Sequence, residues 1–100
     1  MFKKPSRAVE KVFVHHSASD LAEHDNIDTI KKWHKAKGFN GVGYHYFIRR
    51  NGQISEGRSL ERIPAAQLKN NAKTIAICLH GLNEFSNEQV ESLQILCRQI

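Results

Sequence analysis

The chain lacks the features that would place it in several large protein classes. No apolar run approaches the ~18 residues a membrane-spanning helix needs, which argues against a helical span. Residues 1–10 carry charge but no apolar core of the kind a secretory leader has. The expectation is therefore synthesis in the cytoplasm without a signal peptide. Proline is scarce, at 2 residues, and glycine stands at 6, which excludes collagen-like and proline-rich linker sequences. No internal period is visible, which excludes solenoids and propellers. There are only two cysteines, Cys78 and Cys97, and no C-x-x-C spacing. That excludes a disulfide framework and a thiolate zinc knuckle. Both thiols read as small buried apolar residues of a reducing compartment, with one disulfide between them left open.

What remains is the composition of an ordinary globular domain. One hundred residues suit a single domain with one modest core. The formal charge is +5, which favours anionic partners without choosing among them. Basic residues are spread along the chain, and no basic motif with interleaved aromatics points to nucleic acid. Lys31, Lys32 and Lys35 read as a solvated helix face.

Periodicity and punctuation outline the elements. Lys11–His15 reads as a strand, and its apolar run Val12-Phe13-Val14 suggests burial on both faces, as in a central strand. Ser17–Asn26 is a polar loop with room for a helical turn. Ile27–Lys37 reads as a helix capped by Asp25 or Asn26 and closed at Gly38, with Trp33 and His34 in the core. Tyr44–Arg49 and Gln53–Glu56 form a hairpin about Asn51-Gly52. Gly57–Lys73 is a long connection of the kind that often carries function. Thr74–Leu79 is a fully apolar strand ending at His80-Gly81. Ser86 or Asn87 caps a last helix through Ile100, whose buried stripe is expected at Val90, Leu93, Leu96 and Cys97.

The chemistry-bearing residues fall along this frame in a set order. A strand runs into His15-His16-Ser17; a helix follows; then come Gly43-Tyr44-His45, the Asn51-Gly52 hairpin, Glu56-Gly57-Arg58 and Thr74–Leu79. In this order and spacing the set resembles the zinc-dependent N-acetylmuramoyl-L-alanine amidases of the phage-lysozyme and peptidoglycan-recognition-protein type. The resemblance implies an α/β fold with a mixed central β-sheet flanked by helices. It implies that residues 1–100 are the N-terminal two-thirds of one such domain, C-terminally incomplete.

It also implies the reaction, which is hydrolysis of the amide between N-acetylmuramic acid and the L-alanine of the stem peptide. Family members hold Zn2+ with two histidines and a cysteine or aspartate, leaving a position for water. His15 stands at the first ligand's place, and the other ligands fall beyond Ile100. Cys78 matches a core position, and neither it nor Cys97 fits a ligand. His16 is expected to support its neighbour. Tyr44 matches an active-site tyrosine that would stabilise charge on the tetrahedral intermediate. His45, Asn71 and His80 are candidates for substrate binding along the groove, and Arg58 for fixing its loop by salt bridges. Ala66 stands where relatives commonly carry a histidine. The implied partner is peptidoglycan or a muropeptide, met at the cell wall after release of the protein, which is expected to be a monomer. The alternative reading is a non-catalytic peptidoglycan-binding module, because one ligand cannot hold a catalytic zinc.

Overall fold

The computed structural model describes residues 2–100. Four strands make one mixed sheet: β1 Lys11–His16, β2 Tyr46–Ile48, β3 Ile54–Glu56 and β4 Thr74–Leu79. Their spatial order is β1-β4-β2-β3. β4 lies parallel to both β1 and β2, and β3 returns antiparallel to β2. The hairpin between β2 and β3 closes as its sequence demands. Gly52 sits at φ +89° and donates its amide to Arg49 O at 2.8 Å, a conformation that favours glycine.

Helix α1, Ile27–Ala36, covers one face of the sheet, and helix α2, Asn87–Gln99, covers the other. The Asn26 side chain accepts the Thr29 amide at 2.8 Å and so caps α1. On this side Ile30 packs with Val42, Phe47 and Cys78. On the α2 side Leu96 packs with Tyr46, Ile48, Ile75, Ile77 and Leu79. A 3-10 turn, Ala22–His24, occupies the polar loop before α1. The N-terminal segment packs on the α2-side core, where the Phe2 ring meets Tyr46 edge-on at 5.4 Å.

Several expectations need correction. The central strand is β4, whose six residues are all buried, while β1 is an edge strand. Val12 and Val14 are 39% and 53% exposed. Three apolar residues in a row mark a strand but not its place in the sheet, because place depends on which strands flank it. β2 is shorter than the Tyr44–Arg49 pattern suggests. Before it, Gly43 to His45 run as irregular backbone tied by single bonds, His45 N to Ala76 O and Arg58 N to Tyr44 O.

The stripe on α2 is also rotated from its expected position. Gln89 is fully buried, whereas Val90 is 45% exposed and Cys97 is exposed. The reason is polar. The Gln89 amide donates to Ile48 O at 3.2 Å and His80 O at 2.8 Å, while its oxygen accepts the Ser86 amide at 2.9 Å in a capping box. These bonds turn Gln89 toward the sheet and carry Val90 off it. Trp33 is likewise at the surface, edge-on to the His24 ring at 5.0 Å, while His34 is buried. Arg58 holds its loop through the carbonyls of Val42 and Ile63 rather than through carboxylates.

Candidate functional site

The site lies on the α1 face of the sheet, beside the edge strand. In the β1–β4 register His15 stands opposite Cys78, so both side chains leave the sheet on the same face. Cys78 packs beneath α1 with Ile30 and Phe47. His15, one strand further out, is only half-buried. The Tyr44 ring lies against His15 at 5.3 Å and against His34 of α1 at 5.1 Å, between centroids.

Close packing fixes Tyr44 from behind. Gly43 donates its amide to His34 Nδ1 at 2.7 Å and accepts the Ala65 amide at 3.1 Å. A Cβ on Gly43 would run into the Ala65 carbonyl, so only glycine admits this approach. Because His34 Nδ1 accepts a backbone N–H, its proton sits on Nε2. Burial, helped by Lys37 and Arg58, lowers the His34 pKa and keeps the ring neutral.

Burial governs the two titratable groups beside His15. It pushes the Tyr44 phenol up to about 12, with the neighbouring Cys78 adding to the effect. Tyr44 therefore stays protonated near neutral pH, where it can donate a hydrogen bond but cannot act as a base. Burial also pushes the Cys78 thiol up to about 12. A thiol this reluctant to ionise is neither nucleophile nor thiolate ligand near neutral pH.

His15 is held by a residue that the sequence reading passes over. His15 Nε2 lies 2.7 Å from Gln67 Oε1. Gln67, just 7% exposed, donates its amide nitrogen to Thr74 Oγ1 at 2.8 Å. Thr74 Oγ1 in turn donates to Asn71 O at 2.7 Å. Nothing in the sequence marks Gln67 except its place beside Ala66, where a histidine is common in the resembled family. It is found only by folding the loop back onto β1.

The three candidates for substrate contact are engaged within the protein. The Asn71 side-chain oxygen accepts the amides of Ala66 at 3.0 Å and Gln67 at 2.8 Å, closing the loop that carries Gln67. His45 is 1% exposed; its Nδ1 accepts the Ala76 amide at 3.1 Å, so its Nε2 donates to Arg62 O at 2.7 Å. His80 is fully buried, with Nδ1 3.1 Å from Ser17 Oγ and Nε2 without a partner among the described residues. His15 and Tyr44 thus come together, while His45 and His80 belong to the framework around them. His16 turns the other way: its Nδ1 accepts the Ala18 amide at 3.1 Å and its ring faces Phe85.

No group of three His, Cys, Asp or Glu side chains that could hold a metal ion occurs among the described residues. A catalytic zinc takes three protein ligands and a water. These residues offer His15, so by themselves they do not fit the ion. No described helix is long and apolar enough to cross a membrane.

Comparison with known proteins places this arrangement. Over 78 residues the chain is 35% identical to the endolysin of Enterobacteria phage T3, an alignment covering 78% of this chain and 52% of that protein. It is 32% identical to the endolysin of Escherichia phage T7 over the same length and the same shares. The chain thus spans about half the length of the curated relatives it matches. Among solved structures, the endolysin N-acetylmuramoyl-L-alanine amidase LysCS of Clostridium intestinale superposes with a TM-score of 0.80 at 26% identity. That match covers 97% of this chain and 61% of LysCS. The Drosophila peptidoglycan recognition protein SD has the same fold, with a TM-score of 0.81 at 23% identity over 99% of this chain and 64% of that one. The expected fold class is therefore correct. The N-acetylmuramoyl-L-alanine amidase family model matches residues 5–100, and the chain belongs to that family.

Proposed function

We propose that these residues form the N-terminal two-thirds of an endolysin-like peptidoglycan amidase domain. Its substrate is the amide joining N-acetylmuramic acid to the L-alanine of the stem peptide, met at the cell wall. The observation that supports this best is the pairing of His15 and Tyr44, both half-buried, with ring centroids 5.3 Å apart on the α1 face. Tyr44 donates its O–H to the substrate carbonyl oxygen as negative charge develops there, a contact stronger in the transition state than in the ground state. Its raised pKa keeps the proton available across the working pH range. His15 supplies one ligand of the zinc that the family uses, the remaining ligands lying outside these residues. Asn71, His45 and His80 hold the framework around these two residues through the bonds described above.

The absence of a three-ligand group among the described residues favours a second reading, a module that binds peptidoglycan without cutting it. One experiment separates the two. Release of stem peptides from purified peptidoglycan is measured beside co-sedimentation with the same material, for the chain and for the longer protein containing it. Amidase function predicts release, and Tyr44→Phe should lower it by about 10²–10³-fold, the usual effect of losing one oxyanion donor. Co-sedimentation without release in either form would leave the binding reading standing. Release that persists in His15→Ala would remove His15 from the reaction.

A further inference from the structure

We propose that Gln67 is a positioning residue that sets the tautomer of His15, holding the ring proton on Nε2 and leaving the lone pair on Nδ1. The proposal rests on His15 being a working residue of the site for its purpose, but not for its geometry.

The assignment follows from a chain of donors and acceptors with one consistent direction. Asn71 O is a carbonyl and can only accept, so Thr74 Oγ1 at 2.7 Å gives it its single proton. Thr74 Oγ1 then has only lone pairs to offer Gln67, 2.8 Å away, and the Gln67 group facing it must be the NH2. The Gln67 oxygen is thereby turned to His15. A ring nitrogen 2.7 Å from an amide oxygen must carry a proton, so Nε2 is the donor. In the neutral ring Nδ1 then holds the free lone pair, and it has no hydrogen-bond partner among the described residues.

The network is built to resist reversal. Gln67 and Thr74 are 7% and 4% exposed, so water cannot readily replace either partner. The Gln67 backbone is clamped through its amide to Asn71 Oδ1 at 2.8 Å. Flipping the Gln67 amide would set its NH2 against a protonated Nε2 and its oxygen against a hydroxyl whose proton is already used. A histidine that must offer one particular nitrogen commonly has its other nitrogen fixed by such a neighbour. Here the neighbour is an uncharged amide.

The test is a long-range proton–nitrogen correlation spectrum of the histidine rings, recorded near pH 8 on the ¹⁵N-labelled chain. His15 should show a protonated Nε2 and an unprotonated Nδ1, with its Hε2 proton slow to exchange with water. Gln67→Leu should make that exchange about tenfold faster or more, the scale of one lost hydrogen bond, and the Nδ1 and Nε2 shifts should move toward each other as the Nδ1–H form becomes populated. Thr74→Val removes the group that orients the amide without touching His15, and should also populate both tautomers. Gln67→Glu keeps an acceptor toward the ring, with its second oxygen taking the Thr74 hydroxyl proton that otherwise goes to Asn71 O, and should keep the ring proton on Nε2. A proton on Nδ1 in the wild type would overturn the proposal, as would an unchanged ring in Gln67→Leu or Thr74→Val. The wild-type spectrum decides even where a variant fails to fold. Failure to release stem peptides with the tautomer intact would count against the functional reading alone.

Discussion

Replacing Gln89 by leucine tests what turns α2 against the sheet. By hydropathy the change should be favourable, since it puts an apolar side chain at a fully buried position. The hydrogen bonds argue the opposite. Ile48 O would keep a partner, because it also accepts the His80 amide at 3.0 Å. His80 O would lose the Gln89 donor at 2.8 Å, and Ser86 N would lose its acceptor at 2.9 Å. A buried carbonyl stripped of a donor costs ~1–3 kcal/mol, and half of a capping box adds up to ~1 kcal/mol. The leucine side chain returns ~1 kcal/mol of apolar burial. The net loss is ~2 kcal/mol, a large share of the ~5–15 kcal/mol that holds a domain together. Urea unfolding should show a midpoint lowered by roughly 1–2 M with an unchanged slope. Val90→Ala, at a half-exposed position, should cost less than ~1 kcal/mol. A neutral or stabilising Gln89→Leu beside a costly Val90→Ala would refute the orientation of α2 described here.

Three further outcomes follow from the structure. Native protein should react with one equivalent of a thiol reagent, at Cys97, and with two after denaturation, because Cys78 is fully buried and its thiol is pushed up to about 12; two fast equivalents in the native state would contradict the packing under α1. Burial lowers the pKa of His34, His45 and His80 below the ordinary imidazole value. The unfolded chain then binds protons first as the pH falls, so stability present above ~6.5 declines through pH 6 and 5. Urea midpoints across that range check the direction, and ring proton shifts identify the residues. Asp20 accepts the amides of Leu82, Asn83 and Glu84 and pairs with Arg50 at 3.4 Å, which holds its carboxyl below the usual range. Its contribution is present above the ordinary carboxylate pKa of ~3.9 and is lost as the pH falls below that. Asp20→Asn should flatten the acid side of the stability curve, and an unaltered curve would show that the cluster carries no linkage.

The sequence by itself determined the local structure wherever a residue's own chemistry decides it. Asn26 and Ser86 cap helices because their side chains reach an amide three residues on. Asn51-Gly52 turns the hairpin because glycine tolerates the positive φ. Thr74–Leu79 reads as a buried strand because six residues without charge have nowhere else to go. The ordered set from His15 to Leu79 was enough to indicate the family and to draw attention to His15 and Tyr44. Tertiary structure decided what depends on partners distant in the chain. It placed β1 at the edge although its apolar run suits the centre, since strand order lies in pairing and not in composition. It turned Gln89 inward and Val90 outward because the Gln89 amide bonds the carbonyls of Ile48 and His80. It committed His45 and Asn71 to backbone groups, and it brought Gln67 across 52 residues of sequence to His15. Hydropathy and spacing record what one segment prefers; a hydrogen bond between distant segments exists only once the chain has closed on itself, and the candidate site is made of such bonds.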